Sequence, residues 1–177
     1  MWRRLSKLSI SQKEQLARII RQPVVRSLMA LAVRVVVARH RAGVTVVCFD
    51  GENRILMLRH VFHPVTPWDL PGGWLERDES PEDGVLRELR EETGLIAELG
   101  PVVRLTRETT PSHLVITYMA RLNGNAQETV LSSEILEARW FAADELPPKV
   151  RPSTRLAIET AVEKLPGWSM MEQVSDV

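Results

Sequence analysis

Three glutamates close together in the chain, Glu88, Glu91 and Glu92, are the residues best suited to chemistry, since they lie three and four positions apart. A helix turns 100° per residue, so this spacing places the three carboxylates within one arc of about 100°. Neighbouring carboxylates repel one another, by roughly 3 kcal/mol per pair at an effective dielectric near 20 and about 5 Å. A divalent cation such as Mg²⁺ or Mn²⁺, which prefers oxygen ligands, reverses that repulsion. The spacing therefore favours a cation site, although an acidic helix face is more often only a solvated surface.

The residues around the glutamates predict a helix that is anchored to a core. Ser80–Pro81 is suited to the start of a helix, and the glycine Gly94 is suited to its end after about Thr93. Leu86 and Leu89 lie on the face adjacent to the acidic one and can pack against the protein body. The acidic face would then lie beside the protein body rather than project freely into water.

A glycine pair and two charged residues complete the pattern. Gly72 and Gly73 predict a glycine loop whose backbone can approach a ligand closely, and a carbonyl there could add to the oxygen shell of a cation. Arg87 precedes Glu91 by four residues, a helical ion-pair spacing that could orient one carboxylate. Glu79 adds an acid at the junction of loop and helix.

Together these residues resemble the signature of the Nudix hydrolase family, Gly-x5-Glu-x7-Arg-Glu-U-x-Glu-Glu-x-Gly-U, in which U is aliphatic. Asp78 and Gly84 stand where glycine and alanine are frequent in the family, and neither departure removes a ligand. The fixed positions are all filled, by Gly73, Glu79, Arg87, Glu88, Leu89, Glu91, Glu92, Gly94 and Leu95.

The resemblance covers roughly residues 42–165 and implies an α/β fold, an α/β/α sandwich with a mixed β-sheet. It also implies a metal-dependent hydrolase that cleaves a diphosphate bond in a nucleoside diphosphate linked to another moiety. We expect ADP-ribose-like compounds or nucleoside triphosphates as substrates. The alternative is a nucleotide-sensing domain of the same fold that binds without hydrolysis.

By resemblance, Glu88 and Glu92 are the main ligands of Mg²⁺, with Mn²⁺ as a substitute. Glu91 and the Gly72 carbonyl would assist, and Arg87 would orient the glutamates rather than touch the substrate. In such chemistry the metal neutralises the diphosphate and acidifies the attacking water.

The general base is less clearly marked. Glu134, six residues before Trp140, matches a loop glutamate that serves as metal ligand or base in some relatives. Glu137 is the nearby alternative, and either residue could instead be a surface charge at a strand edge.

Arg59, Trp68 and Pro111 are candidate substrate contacts. Trp68 could stack on a base, although a core role is the more usual one for a tryptophan. Pro111 lies sixteen residues after Leu95, a position that in the family loosely marks enzymes acting on ADP-ribose. Three histidines could contact phosphate or serve structural roles, namely His60, His63 and His113.

The rest of the chain predicts the following elements. Two strands, 44–49 and 55–60, form a hairpin around a turn at 50–53, and a short strand ends at Trp68 before the glycine loop. Further strands are expected near 97–106, 114–122 and 138–141, and a final helix begins at Pro152 or Ser153. Residues 166–177, after Pro166, are predicted to form a loose tail.

The net charge of zero hides a difference between two regions. Residues 1–41 hold ten basic residues and one acid, whereas residues 42–177 hold thirteen bases and twenty-two acids. We interpret residues 1–41 as a basic, amphipathic helical arm that packs on its own domain, completes a homodimer or contacts a membrane surface. No specific nucleic-acid partner is expected. The single cysteine, Cys48, lies in an apolar run and is interpreted as a buried residue of a cytoplasmic protein.

Overall fold

The computed structural model describes residues 9, 11, 14, 21–25, 27, 41–62, 65–109, 111–122 and 129–175, with side chains as far as residue 168. The chain divides into two compact units, Met1–Arg39 and His40–Val177. Most of the first unit lies outside the described residues, and so does most of the arm that the sequence predicts as helical. The elements below all belong to the second unit.

Seven strands and two helices follow one another along the second unit. The strands of its first half are β1 (Arg41–Phe49), β2 (Ile55–His60), β3 (Trp68–Asp69) and β4 (Gly72–Trp74), and helix α1 (Pro81–Thr93) follows them. The second half contains β5 (Ala97–Thr109), β6 (Ser112–Leu122), β7 (Ile135–Phe141) and helix α2 (Pro152–Ser175). The predicted hairpin, strands and helix starts are therefore present. Strand β2 has its predicted bounds, whereas β1, β5, β6 and β7 are longer than predicted, and β1 already begins at Arg41, where the sequence suggested a boundary.

The seven strands form one mixed sheet. Its central order is β3-β2-β1-β6-β5, with β4 paired to β1 and β7 paired to β2. Strands β1 and β6 are parallel, and the other pairs are antiparallel. A strand that alternates its side chains between two faces can support a core on each face. Strand β1 does so, because alternate residues enter two separate apolar layers.

Each helix covers one face of the sheet, which confirms the α/β/α sandwich. Cys48 is buried in the layer beneath α1, as predicted, and burial raises the pKa of its thiol to about 12. The layer beneath α1 contains Val44, Val46, Cys48, Val85, Leu89 and Tyr118. The layer beneath α2 contains Val47, Phe49, Met57, Met119, Ile158 and Ala161.

The glycine pair does not form a loop, as the sequence predicted, but belongs to a strand. Gly72 and Gly73 lie in β4 and pair with Thr45 and Val44 of β1. A Cβ atom on Gly72 would lie 2.2 Å from the Val44 carbonyl oxygen. Only a residue without a side chain allows β4 to lie this close to β1, so Gly72 is required for strand packing.

The C-terminal segment is also different from the prediction of a loose tail. Helix α2 continues through Pro166 as far as Ser175. Trp168 packs against the apolar layer beneath this helix, and a Cβ atom on Gly100 would lie 2.8 Å from its ring. The Arg121 guanidinium lies 5.1 Å from the ring centroid of Trp168. By its local effect alone, Pro166 favours the end of the helix. The tertiary contacts of Trp168 stabilise the helix beyond it.

Both ends of α1 are capped as the sequence predicts. The Ser80 hydroxyl oxygen accepts a hydrogen bond from the Asp83 amide at 3.1 Å. Gly94 follows the last turn with a φ of 73°, and its amide donates to the Arg90 carbonyl at 2.8 Å. Within the described part of the chain, no helix combines the length and the apolarity that a membrane crossing requires.

The left-handed conformation of Gly94 gives a test of this cap. We expect Gly94→Ala to lower the free energy of unfolding by about 1–2 kcal/mol, because a Cβ atom is strained at this φ. Urea denaturation measures the change. Gly51→Ala is the matched control, since a Cβ atom there meets nothing within 4 Å. Equal stabilities of the two variants would contradict the cap.

Candidate active site

The three glutamates of α1 differ in burial. The side chains of Glu92 and Glu88 are 12% and 16% exposed, whereas that of Glu91 is 60% exposed. An acidic surface stripe would leave all three in water, so the simple surface interpretation holds only for Glu91. The other two carboxylates are withdrawn into the protein.

Glu92 is the most deeply buried of the three. Its Oε2 atom accepts a hydrogen bond from the Gly72 amide at 2.9 Å, and its Oε1 atom lies 3.9 Å from His60 Nδ1. Burial, together with the charges of Glu88, Glu134 and Asp69, raises the pKa of Glu92 to about 8, against the lowering effect of the Gly72 hydrogen bond. Glu92 is therefore a carboxylate whose negative charge is poorly compensated by its surroundings.

Glu88 lies directly over the glycine pair. A Cβ atom on Gly73 would be 2.4 Å from the Glu88 carboxyl group, so only glycine permits this approach. Burial raises the pKa of Glu88 above its usual value, partly offset by the hydrogen bond from Arg87. The signature glycine and the signature glutamate are thus in contact across two elements.

Arg87 holds the acidic groups in place. Its guanidinium donates to Glu79 at 2.8 and 3.1 Å, to Glu88 at 3.0 Å and to Glu91 at 3.1 Å, and also to the Trp74 carbonyl at 3.1 Å. The contact with Glu91 is the ion pair that the four-residue spacing predicts. These bonds raise the pKa of Arg87 and lower the pKa of Glu79.

A cavity of about 640 Å³ opens beside these groups. Strands β1 and β6 contribute to its lining, including Thr45 and Thr117, whose hydroxyl groups are 3.0 Å apart. Glu88, Glu91 and Glu92 all line the cavity. Its size suits a small organic ligand.

Of the three predicted substrate contacts, only Pro111 lines the cavity. Trp68 is a core residue that is 8% exposed, and its ring makes an edge-to-face contact with Phe141 at 5.3 Å. Arg59 forms an ion pair with Glu137 at 3.1 Å and is not part of the cavity lining. Trp68 therefore has the core role that the sequence analysis gave as the more usual one, and Arg59 lies outside the cavity lining, because the sequence does not show which face of a short strand turns inward.

The two candidate bases are also separated by the structure. Glu134 lines the cavity, and its charge contributes to the raised pKa of Glu92. Glu137 lies on β7 and pairs with Arg59 and Arg139 instead. Of the three histidines, His60 and His113 line the cavity, whereas His63 lies outside the described residues.

Sequence reasoning missed two parts of the cavity wall. Asp69 is buried and accepts hydrogen bonds from Arg151 and from the Thr154 hydroxyl, the latter at 2.8 Å, and all three residues line the cavity. Trp74 also lines it. The chain places Asp69 more than 80 residues before α2, so no local spacing could have indicated this contact. For Trp74, the only local signal is its position beside the glycine pair.

The donor atoms fit a hard divalent cation. Glu88 and Glu92 offer carboxylate oxygens, and burial raises the pKa of both carboxyl groups. A bound cation would compensate the two negative charges, which the protein itself compensates only in part. Among the described residues, no three side chains of His, Cys, Asp or Glu form a ready-made cage for a metal ion. Mg²⁺ sites are often incomplete in this way, because the ion keeps water and takes further oxygens from a substrate phosphate.

The raised pKa of Glu92 predicts how the stability of the metal-free protein depends on pH. The protonated carboxyl stabilises the fold fully below the usual value of 4.5, and this stabilisation is lost as the pH rises through about 8. We expect the free energy of unfolding in EDTA to fall by on the order of 2–4 kcal/mol between pH 5 and pH 9 through this group. Glu92→Gln should remove that part of the dependence, whereas Glu159→Gln on α2 should retain it. An unchanged pH dependence in Glu92→Gln would refute the assignment.

Comparison with known proteins gives a consistent result. Residues 39–161 match the NUDIX domain family. The chain is 34% identical over 107 residues to a MutT-like protein from Streptomyces ambofaciens, an alignment that covers 60% of this chain and 67% of that protein. It is 31% identical over 119 residues to the NAD-capped RNA hydrolase NudC of Salmonella typhi, covering 66% of this chain. That alignment covers 46% of NudC, so the chain spans about half the length of this relative.

The fold agrees with the sequence match. An ADP-ribose pyrophosphatase from Streptococcus suis superposes with a TM-score of 0.57 at 27% identity, over 70% of this chain and 92% of that one. The family match covers more than half of the chain and includes β1, the glycine pair and the whole of α1. The chain therefore belongs to the NUDIX domain family and carries the complete sequence motif of its hydrolases.

Proposed function

We propose that this Nudix hydrolase cleaves the diphosphate bond of a nucleoside diphosphate linked to another moiety, in the presence of Mg²⁺. The observation that carries the proposal is the pair of buried carboxylates, Glu88 and Glu92, on the wall of a cavity large enough for a nucleotide. Both need a cation to balance their charge, and a diphosphate needs the same cation. The cavity and the carboxylates therefore suit one ligand, a metal-bound diphosphate.

ADP-ribose is the substrate that we propose first. Pro111 lies on the cavity wall, as the resemblance to enzymes acting on ADP-ribose implies. The structural relative from Streptococcus suis is an ADP-ribose pyrophosphatase, and NudC acts on NAD-capped RNA. ADP-ribose and the NAD cap share an adenosine diphosphate linked to a second ribose. Nucleoside triphosphates are the second candidates.

We assign the metal site to Glu88 and Glu92, with Glu91, Glu134 and the Gly72 carbonyl assisting. A magnesium ion held by these residues would supply charge neutralisation at the diphosphate and a lowered pKa for a bound water.

The residues of the chain itself position these groups and move a proton. Arg87 fixes the carboxylates of Glu88 and Glu91, and the Gly72 amide fixes that of Glu92. Water attacks one phosphorus atom, the bridging P–O bond breaks, and the departing phosphate takes the bond's electron pair. We assign Glu134 as the base that accepts the proton of the water, since it lines the cavity and Glu137 does not.

The non-hydrolytic sensor is the competing interpretation. Such a domain has no need to keep Glu88 and Glu92 buried without a compensating charge, since binding a nucleotide is possible without this strain on the fold. Turnover of ADP-ribose, NAD⁺ and nucleoside triphosphates with Mg²⁺ or Mn²⁺ separates the two functions. A domain that binds these compounds and turns none of them over is a sensor.

Removing the charge of Glu92 tests the metal site. We expect Glu92→Gln to lower kcat/KM for ADP-ribose by at least about 100-fold, because the amide is a poor ligand for magnesium. The fold should be retained, which circular dichroism checks. Glu159→Gln, an exposed substitution on α2, is the matched control and should behave as the wild type. Wild-type turnover in Glu92→Gln would show that the metal site is assigned wrongly.

A pH profile tests the role of Glu134. We expect Glu134→Gln to lower kcat about 100-fold or more, since general base catalysis contributes a factor of this size. In the wild type, kcat should fall at acid pH because the base becomes protonated, and this fall should be absent in Glu134→Gln. Glu137→Gln, two positions after the start of β7 and outside the cavity lining, should keep both the rate and the profile. A profile that keeps its acid limb in Glu134→Gln would exclude this residue as the base.

A further inference from the structure

An exposed tryptophan stands on the cavity wall next to the carboxylates. Trp74 is 44% exposed, and its ring lies against His113 with the centroids 4.6 Å apart and the planes tilted by 55°. Both side chains line the cavity. We propose that Trp74 and His113 form a platform on which the base of the nucleotide stacks, and that this platform determines specificity for substrates with a base. The substrate class in this inference rests on the proposed function.

The rings of Trp74 and His113 can touch because the residue of β1 that lies between them is a glycine. In the sheet, Gly43 of β1 is the register partner of Trp74, and Arg41 of the same strand is the partner of His113. A Cβ atom on Gly43 would lie 3.6 Å from His113 Cδ2 and 3.1 Å from the Gly73 carbonyl oxygen. A larger side chain on β1 would press between the two elements. The absence of one lets rings from β4 and β6 form a continuous surface across β1.

The platform is rigid before any ligand binds. His113 Nδ1 lies 2.6 Å from the Pro111 carbonyl oxygen, which can only accept, so Nδ1 carries the proton and donates it. This bond fixes the orientation of the imidazole ring. The Trp74 carbonyl accepts from Arg87 at 3.1 Å, and the following amide, that of Leu75, donates to Ala42 at 3.1 Å. A preorganised aromatic surface binds a planar ligand at a lower entropic cost.

The position of the platform matches the shape of a nucleotide. Trp74 follows Gly73 in the chain, and Gly73 lies directly against the Glu88 carboxylate. A diphosphate held at the carboxylates therefore places its nucleoside beside the Trp74 ring. The Arg41 guanidinium lies over this ring, 5.9 Å from its centroid, and is not part of the cavity lining. Stacking on aromatic side chains accepts any base, since every base has a planar face.

The contrast with Trp68 supports this assignment. Trp68 is 8% exposed and packed against Phe141, so it has no face for a ligand. Trp74 keeps part of its ring open to the cavity. A large aromatic side chain that is partly exposed inside a polar cavity is a common anchor for a planar ligand.

Binding of product fragments tests the platform independently of turnover. Isothermal titration calorimetry compares adenosine monophosphate with ribose 5-phosphate, which lacks the base, in the metal-free protein. We expect the wild type to bind adenosine monophosphate about tenfold more tightly. Trp74→Ala should bring the two affinities close together, and Trp74→Phe should keep most of the difference. His113→Ala should weaken it about threefold. Trp168→Phe is the control for loss of an indole outside the cavity and should behave as the wild type.

Steady-state kinetics supply the second readout. For ADP-ribose, Trp74→Ala should raise KM about tenfold and change kcat by less than about threefold, because the base is bound equally in ground state and transition state. Trp74→Phe should restore KM. The platform is overturned if Trp74→Ala keeps the wild-type preference for adenosine monophosphate, or if the wild type shows no preference. A wild type that prefers adenosine monophosphate but hydrolyses none of the diphosphates would instead refute the proposed function and leave the platform standing.

Discussion

The site depends on one electrostatic constraint, the need to bring carboxylates together inside the protein. Burial and mutual repulsion raise the pKa values of Glu88 and Glu92, so these groups destabilise the metal-free fold when they are charged. Arg87 offsets part of this cost through charge-assisted hydrogen bonds to Glu79, Glu88 and Glu91. A bound ligand could offset the part of this cost that Arg87 does not offset. The conflict between folding and charge is therefore relieved by a proton at low pH or by a bound cation.

The backbone of β4 also helps to bring the carboxylates together inside the protein. Gly73 leaves the space that the Glu88 carboxylate occupies, and Gly72 both permits the approach of β4 to β1 and donates its amide to Glu92. A side chain at Gly72 would press β4 away from β1, and one at Gly73 would press β4 away from the helix. Arg87 extends the same unit to the cavity wall, because its bond to the Trp74 carbonyl connects the carboxylates with the aromatic platform. The carboxylates proposed to hold the metal and the tryptophan proposed to stack on the base thus meet at the junction of β4 and α1.

The sequence predicted the local parts of this arrangement well. The capped helix, the spacing of its glutamates and the pair Arg87–Glu91 depend on contacts within a few residues, and local chemistry specifies such contacts. It failed where distant segments meet. For Trp68 the sequence left stacking on a base open beside the more usual core role, and the residue lies in the core; Trp74, six residues later, was not singled out and lies on the cavity wall. Residues 166–177 were predicted as a loose tail, yet packing of Trp168 carries α2 past Pro166 to Ser175.

The sequence by itself determined the family, the fold class and the residues that can bind a cation, because a complete motif fixes residue types at fixed helical spacing. Only the tertiary structure decided how deeply each glutamate is buried, since burial depends on what packs against the helix rather than on the helix itself. It likewise separated Glu134 from Glu137, which differ by three positions in the chain. One faces the cavity and the other pairs with Arg59, because β7 begins between them and fixes the direction of each side chain.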